Sequence, residues 1–389
     1  MFKSRRAGTF FSLLFLLIII ILITVDLTKP FLCFNEKKQN PQETFEKNLE
    51  RSLILYGNWF IKNQTDAGDF NYELNVDTGE KIPNYNIVRQ AGSFYSLTHA
   101  YKYTKNDNYK KGIEKGIIFF ENLIEEVEGN VPMSRIKHEG TIQSNTVAVY
   151  LLALIEYIET DNTDKDKYLE TSTKLANYLL YTQRNDGSFL QRLDPAEESD
   201  YNNGESFYAL IRMYKLSGDK RYLTGATKAA DYIILKYSAE PFNYSVFAWA
   251  MQGMAHLYSV EHDSKYWDFM KSYTDSYFKR GGNTANLYFR GYKVPPPKGN
   301  LGVYLEGLAH VAWTAKETDP YYYSEVSLFI KKSLEYLMSL QINGPASERK
   351  SAIPWISGGI CYDYRCKTQR IDITHHNLSA IYFYLTYVK

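Results

Sequence analysis

The sequence predicts an all-α protein in which one N-terminal transmembrane signal-anchor helix precedes an (α/α)6 toroid of six helical hairpins. Three observations support this fold class. An apolar run follows basic residues at the N-terminus, twelve segments with helical periodicity fill the rest of the chain, and these segments alternate between amphipathic and almost uniformly apolar. No segment shows the long two-residue alternation of a strand, so a sheet-based fold is not expected.

The N-terminus indicates a membrane anchor. Lys3, Arg5 and Arg6 precede an apolar run from Phe10 to Val25, which is close to the shortest length that spans a bilayer. Basic residues before such a run keep the N-terminus in the cytoplasm. A cleavable signal peptide is the alternative, although no small-residue cleavage site follows the run. The predicted divisions are a cytoplasmic tail at 1–9, a transmembrane anchor at 10–27, a stem at 28–41 and the toroid domain at 42–389.

This topology predicts a single-pass membrane protein whose main domain is extracytoplasmic, in a periplasm, at the cell exterior or in a Golgi lumen. Cys361 and Cys366 lie close together in a loop. In an oxidising compartment they would form a short disulfide, and two free thiols are the alternative.

Apolar residues recur at helical spacing from residue 42 onwards, and turn signals separate the segments. The predicted helices are 42–64, 91–104, 107–127, 145–159, 165–183, 204–217, 220–238, 243–259, 263–280, 301–317, 320–341 and 374–387.

The twelve segments alternate in character. Odd segments have a charged face and often open with a tyrosine, such as Tyr168 or Tyr222, whereas even segments are almost uncharged. A helix that is apolar on all sides has to be buried, whereas an amphipathic helix faces solvent on one side. We therefore predict six hairpins, each with an outer and an inner helix. An open solenoid would need a polar capping repeat, and the last inner segment is as apolar as the others, which favours a closed ring.

The links between the segments predict where the functional site lies. Links from an outer to an inner segment are long and polar, whereas the return links are short. All long links therefore gather above the N-termini of the inner helices. Binding residues concentrate on such loops, and helix N-termini favour anionic ligands.

Composition limits the class of ligand. The 389 residues carry a net charge of +1 and no basic cluster of the kind that binds nucleic acid. The 35 tyrosines suit either a sugar-binding cleft or the polar ends of packed helices. No cofactor and no metal site are predicted, since no spaced set of cysteines and histidines is present. The expected partners are a polysaccharide or glycan substrate and, through the N-terminal helix, a membrane; no oligomeric state is predicted.

Four residues at the starts of inner segments are candidates for the site. Glu205 and Glu306 each interrupt an almost uncharged segment, and two carboxylates inside one toroid would serve as the acid and base of a glycosidase. Each is alternatively a partner of its own helix dipole. Arg89 would bind a substrate carboxylate or form a local ion pair, and Tyr304 is a candidate substrate contact.

The last long link carries the densest group of chemically active side chains. It contains Gly358-Gly-Ile-Cys-Tyr-Asp-Tyr-Arg365, then Arg370-Ile-Asp-Ile-Thr-His-His376. The candidate catalytic residues in it are Tyr362 and His375, and the candidate substrate contacts are Arg365, Arg370 and Asp372. We expect one cavity to bring together eight of these residues: Arg89, Glu205, Tyr304, Glu306, Tyr362, Arg365, Asp372 and His375.

Part of this link resembles a known family. The string Tyr362-Asp363-x-Arg365, followed by Arg370-x-Asp372 and Thr-His-His, is similar to the C-terminal segment of the D-glucuronyl C5-epimerases, and Gly204–Tyr214 resembles an inner helix of that family more weakly. The resemblance implies a type II membrane protein with a helical toroid that inverts carbon 5 of glucuronate within a polymer, with Tyr362 catalytic. The family's second catalytic tyrosine would stand where this chain has Ile373, and its β-rich portion has no counterpart here.

The predicted function is that of an extracytoplasmic enzyme, epimerase-like, acting on an acidic, uronate-containing polysaccharide or glycan. Removing the proton from carbon 5 requires a base within hydrogen-bonding reach of it and a cation for the carboxylate. One alternative is a six-hairpin glycoside hydrolase or lyase that uses Glu205 and Glu306. Another is a non-catalytic glycan-binding or assembly protein of the cell envelope. A terpenoid cyclase is disfavoured because the chain lacks a cluster of adjacent aspartates.

Overall fold

The computed structural model describes residues 41–161, 163–279, 288–289, 292–293 and 299–389. The chain divides into two units, Met1–Phe45 and Glu46–Lys389, and the helical ring belongs to the second. The predicted tail and anchor, and the predicted stem up to residue 40, lie outside the described residues. Among the helices in the described ranges, none combines the length and the apolarity needed to cross a membrane.

The described residues form twelve α-helices, one for each predicted segment. Their bounds are α1 Pro41–Asn63, α2 Ile87–Thr104, α3 Asp107–Glu121, α4 Ser144–Thr160, α5 Lys165–Thr182, α6 Asp200–Ser217, α7 Lys220–Ala239, α8 Tyr244–Glu261, α9 Ser264–Lys279, α10 Leu301–Thr318, α11 Pro320–Leu340 and α12 Ile371–Phe383, which continues as a π-helical turn at Tyr384–Val388.

The even-numbered helices form a closed inner ring. Every residue of α4 from Ser144 to Ile158 is buried, and α6 is buried from Asn202 to Met213. In the ring α2 packs on α4, α4 on α6, α6 on α8, α8 on α10, α10 on α12, and α12 returns to α2. The predicted (α/α)6 arrangement is confirmed, because this last contact joins the final inner helix to the first.

The odd-numbered helices bury one face and join their neighbours through tyrosines. In α3 the buried positions recur at helical spacing, from Tyr109 to Phe120. The Tyr109 hydroxyl donates to the Ile54 carbonyl oxygen of α1 (3.0 Å), and the Tyr322 hydroxyl donates to Asp275 of α9 (2.9 Å). A tyrosine near the start of an outer helix therefore ties it to the preceding outer helix, which gives part of the unusual tyrosine content a structural role.

The long links contain short β-strands. They are β1 Glu73–Asn75, β2 Lys81–Ile82, β3 Ile124–Val127, β4 Met133–His138, β5 Thr141–Ile142, β6 Leu190–Leu193, β7 Ala196–Glu198, β8 Tyr288–Phe289, β9 Tyr292–Lys293 and β10 Thr368–Arg370. Strand β10 pairs with β1, so the last long link is fastened to the first. The predicted helix 107–127 was too long, because Ile124–Val127 pairs with Met133–Ile136 as a hairpin once α3 has ended at Glu121.

Three inner helices begin about one turn before their predicted starts. Helix α2 begins at Ile87, α6 at Asp200 and α12 at Ile371. Their first turns contain polar or charged residues, which suit a loop as well as a helix N-terminus. The Asn86 side chain accepts a hydrogen bond from the Arg89 backbone N–H, which is the geometry of an N-cap. Arg89 and Asp372 consequently belong to helix N-termini, which hold them more firmly than a loop would.

Candidate functional site

A cavity of about 380 Å³ opens at the N-terminal end of the inner ring. All six inner helices, or the residues just before them, contribute to its wall. The side chains that matter for its chemistry are Arg89, Asn145, Glu205, Trp249, Tyr304, Tyr362, Arg370, Asp372, His375 and His376. The cavity thus lies on the face where the long links were expected to gather.

Two arginines share one carboxylate at the wall. Arg370 forms a two-pronged contact with Asp372, with Nε 2.6 Å from Oδ1 and a terminal nitrogen 2.8 Å from Oδ2. The Nε of Arg89 lies 3.2 Å from the same Oδ2, and this side chain is 38% exposed whereas that of Asp372 is 9% exposed. Asp372 stands in the first turn of α12, where the helix dipole also favours an anion. Because one carboxylate balances two guanidinium groups, the wall keeps a surplus positive charge.

Glu205 presents a buried carboxyl to the cavity. It lies in the second turn of α6 and is 4% exposed. Its Oε2 has no hydrogen-bond partner within the described part of the chain. Burial raises the pKa of Glu205 to about 8, and a hydrogen bond from Asn145 offsets only part of this effect. At neutral pH the group is therefore mainly a carboxylic acid, able to donate a proton.

His376 is held by a carboxylate from beneath the cavity. Its Nδ1 lies 3.0 Å from Oε1 of Glu306, and its side chain is 17% exposed against 2% for Glu306. Burial raises the pKa of Glu306, and the neighbouring His376 works against that rise. Glu306 belongs to α10 and does not line the cavity. The contact between Glu306 and Nδ1 fixes the orientation of the imidazole, and Nε2 is the nitrogen that remains for a substrate. Catalytic histidines are commonly oriented in this way by a carboxylate.

His375 lines the cavity from a more enclosed position. Its Nδ1 lies 3.3 Å from Oγ of Ser93. Its ring fills the space beside Gly92, where an added Cβ would come within 2.6 Å of Cε1. Burial, together with His376, Arg89 and Arg370, holds the pKa of His375 well below its usual range. The ring is therefore neutral at neutral pH.

Glu205 and the two histidines stand on opposite sides of the cavity. Helices α6 and α12 are three positions apart in a ring of six. A protonated carboxyl on one wall thus faces imidazoles on the other. Such a pair can remove a proton from one face of a bound carbon and deliver one to the opposite face.

Aromatic side chains form much of the remaining wall. Tyr201, Trp249, Tyr304 and Tyr362 all line the cavity, and such rings offer apolar faces on which sugar rings pack. The guanidinium of Arg370 lies 5.5 Å from the centroid of the Tyr362 ring. The loop that carries Tyr362 is fixed by the Cys361–Cys366 disulfide.

Seven of the nine predicted site residues line this cavity: Arg89, Glu205, Tyr304, Tyr362, Arg370, Asp372 and His375. Their catalytic and binding roles stay predictions. Glu306 was expected at the cavity but lies behind His376, because its position on α10 directs it into the core.

Arg365, a predicted substrate contact, does not belong to the residues that line this cavity, and its role stays a prediction. Its side chain is 69% exposed and lies 4.0 Å from Asp363. The turn that follows Asp363 is closed by the disulfide and directs Arg365 into solvent, away from the residues that line the cavity.

Sequence reasoning also missed residues of the wall. His376 was passed over for its neighbour His375, and only the helix phase, which sets it against Glu306, distinguishes the two. Trp249 and Asn145 carried no signal, because an indole or an amide near the start of an apolar helix resembles ordinary core packing.

The comparisons with known proteins identify the fold. No protein-family model matches the chain, and no curated protein is similar to it in sequence. An inactive variant of the α-1,6-mannanase GH76A of Salegentibacter sp. HEL1_6, with two consecutive aspartates replaced and α-1,6-mannotriose bound, is similar in structure with a TM-score of 0.63. The two are 16% identical over 87% of this chain and 98% of the mannanase.

Two further enzymes share the fold. A D-mannose isomerase has a TM-score of 0.59 and 15% identity over 88% of this chain and 97% of its own. The cellobiose 2-epimerase of Bacillus thermoamylovorans B4167 has a TM-score of 0.63 and 12% identity over 87% of this chain and 99% of its own. The solved structures with this six-hairpin fold thus include carbohydrate-active enzymes of more than one reaction type.

Proposed function

We propose that this chain is a carbohydrate epimerase that acts on an acidic, uronate-type unit of a glycan. The observation that carries the proposal is the pair of opposed proton-transfer groups, Glu205 on α6 and the imidazoles of α12, in a cavity with two arginines at its wall. Inversion at a carbon beside a carboxylate needs a base on one face and an acid on the other.

The charges of the wall suit one anionic group. Among the described residues that line the cavity, Asp372 is the carboxylate that pairs with both Arg89 and Arg370. With Glu205 protonated, the two guanidinium groups outnumber the ionised carboxylates among the residues that line the cavity. A uronate carboxylate bound there would be neutralised. The guanidinium groups would also stabilise the negative charge that develops when the neighbouring carbon loses its proton.

The proton transfers follow from the positions of the groups. His376, oriented by Glu306 through Nδ1, takes the proton from one face of the carbon through Nε2. Glu205 gives its proton to the other face, and the carbon is inverted without any bond to oxygen being broken. The reverse reaction exchanges the two roles. Tyr362 is the alternative base that the resemblance to the glucuronyl C5-epimerases implies, and it lies beside Arg370 in the same wall.

A hydrolase fits the arrangement less well. Hydrolysis of a glycosidic bond needs two carboxyl groups that face the bond, whereas Glu306 is separated from the cavity by His376. The inactive mannanase variant has two consecutive aspartates replaced, and the 389 residues of this chain contain no two consecutive aspartates.

We also propose that the domain acts outside the cytoplasm, anchored by residues 10–27. The Cys361–Cys366 disulfide supports this location, since such bonds persist in oxidising compartments. Protease treatment of intact cells or sealed vesicles should degrade the domain only from the extracytoplasmic side. Digestion from the cytoplasmic side alone would overturn the proposed location.

The reaction is tested by exchange with solvent. Purified full-length protein is incubated in D₂O with a glucuronate-containing oligosaccharide, and NMR follows deuterium at carbon 5 and the ratio of the two epimers. We expect both exchange and inversion in the wild-type protein. Glu205→Gln should lose inversion, because the acid on the second face is missing, and His376→Gln should lose both, because the base is missing. Arg365→Gln is the control, because this side chain lies outside the cavity and its loss should leave the rate unchanged.

Neutral substrates separate the alternatives. Mannose, cellobiose and manno-oligosaccharides are incubated in the same way. Exchange at carbon 2 of a neutral sugar, with none in the uronate, would overturn the acidic substrate but keep proton-transfer chemistry. Tight binding of the uronate oligosaccharide without any exchange would make the protein a glycan-binding module instead.

A further inference from the structure

A second cavity, of about 340 Å³, lies between the hairpins β4–β5 and β6–β7. Its wall includes Arg135 from β4 and Arg192 from β6, with the buried Tyr178 of α5 behind them. The exposed Asp194 stands at the edge. None of these residues has a role in the chemistry proposed for the first cavity.

The two cavities are neighbours. Gln191 lines the first cavity, and the next residue, Arg192, lines the second. Likewise Gln143 lines the first cavity and Ile142 lines the second. Successive side chains of an extended chain point to opposite faces. The partition between the cavities is therefore one residue thick at β6 and at the end of β5, so a chain molecule that leaves the first cavity over this rim reaches the second directly.

Each guanidinium group forms one partly exposed ion pair, and Arg135 also forms a hydrogen bond with Tyr178. Arg135 lies 3.4 Å from Glu125, a carboxylate that also holds Lys137 at 3.0 Å, and Arg192 lies 3.1 Å from Glu197. These pairs are partly exposed, and pairs of this kind contribute little to stability. The Nε atoms of Arg135 and Arg192 are buried, and neither has a partner among the residues that the structure describes. The side chain of Arg135 is 31% exposed and that of Arg192 is 40% exposed, so an incoming anion would meet the exposed parts of both guanidinium groups in the cavity.

We propose that this second cavity is a binding subsite for a further acidic sugar of the same glycan, whose carboxylate is held by Arg135 and Arg192. The inference rests on the proposed acidic substrate and adds that the enzyme prefers polymers to short units. Arginine is suited to this task because its planar fork matches a carboxylate. Holding one glycan at two places raises its affinity without a new contact in the first cavity.

Binding by oligosaccharides of different length tests the subsite. Titration calorimetry is carried out on the full-length Glu205→Gln protein, so that turnover does not interfere, with a uronate disaccharide and a uronate octasaccharide. We expect the octasaccharide to bind about tenfold tighter or more. Replacing Arg135 and Arg192 by Gln, singly and together, should remove this gain while leaving the disaccharide affinity unchanged.

Lys137→Gln is the matched control, because it removes one positive charge from the same strand and the same Glu125 pair but does not line the cavity. The Lys137→Gln variant should bind the octasaccharide more tightly than the disaccharide, as the protein with Lys137 does. Melting curves test whether each variant is folded. If the double variant does not fold, the two single variants test the subsite.

The outcomes also separate this inference from the proposed reaction. A disaccharide that is bound and epimerised, with no gain for the octasaccharide, would overturn the subsite alone. A gain that survives in both arginine variants would do the same. If neither oligosaccharide bound and neither were turned over, the proposed acidic substrate would fail and the subsite with it.

Discussion

Replacing Glu205 by Gln should make the folded protein more stable at neutral and alkaline pH, although it should also abolish turnover. In the unfolded chain this carboxyl ionises near its ordinary pKa of 4.5, whereas burial in the folded chain raises the pKa to about 8. The folded state therefore holds a proton that the unfolded state has lost. The stability that this group contributes is present in full below pH 4.5 and is lost as the pH rises towards 8.

The magnitude follows from the separation of the two pKa values. Each pH unit between them corresponds to about 1.4 kcal/mol of free energy of unfolding. The wild-type protein should lose roughly 3 kcal/mol between pH 4.5 and pH 7 through this group, and about 5 kcal/mol by pH 9. A glutamine has nearly the same shape and does not ionise, so the variant avoids this loss.

The assay is urea unfolding followed by circular dichroism at pH 4.5, 7 and 9. The difference in free energy of unfolding between Glu205→Gln and wild type should grow with pH in favour of the variant. The control is Glu317→Gln, since Glu317 lies on the exposed side of α10 and its replacement should leave the pH dependence unchanged. A Glu205→Gln protein that is less stable than wild type at pH 9 would refute the reasoning, because it would show that the folded protein stabilises an ionised carboxylate.

Three further predictions concern the rest of the site and the core. Tyr362→Phe should abolish turnover without lowering the melting temperature if Tyr362 is catalytic, whereas a lost structural hydrogen bond would cost ~1–3 kcal/mol of stability and show in the melting curve. Arg370→Gln should raise KM for the uronate substrate at least tenfold through the lost charge-assisted contact, while Arg365→Gln should leave KM unchanged; equal effects of the two would contradict the proposed carboxylate site. Burial lowers the pKa of His99 and of His310 to about 3. Below pH 6.5 the unfolded chain therefore takes up protons that the folded chain does not. The free energy of unfolding should fall by about 1.4 kcal/mol per pH unit for each ring as the pH drops from 6 to 4. A urea midpoint whose pH dependence is the same in wild type and in His310→Asn would contradict this last prediction.

The sequence by itself determined the helices and their arrangement. Amphipathic and nearly uncharged segments alternate because an inner helix is enclosed by outer helices and by its neighbours in the inner ring, whereas an outer helix faces solvent on one side. This alternation predicts six hairpins and the face that carries the cavity. The uncharged run at the start of α4 is one example of an inner segment. Glu205 was recognisable for the same reason, since a carboxylate in an otherwise apolar helix stands out.

Only the tertiary structure decided where several helices begin and end and which segments pair with one another. The first turns of α2, α6 and α12 contain polar and charged residues that also suit a loop, so local sequence does not identify them as helix. In the structure the Asn86 side chain caps α2, whereas Ser199 and Arg370, which precede α6 and α12, make no side-chain capping bond. The hairpin Ile124–Val127 replaced a predicted helical turn because its pairing partner lies further along the chain, beyond the reach of local periodicity.

The choice between neighbouring residues also needed the structure. One residue along a helix turns a side chain by about 100°, so His376 meets Glu306 while His375 lies against Gly92. Arg370 and Arg365 have the same chemistry and lie in the same link, yet one reaches Asp372 and the other points into solvent. A sequence specifies which groups are available, whereas their direction depends on contacts between α2, α10 and α12, segments that are far apart in the chain and meet only when the ring closes.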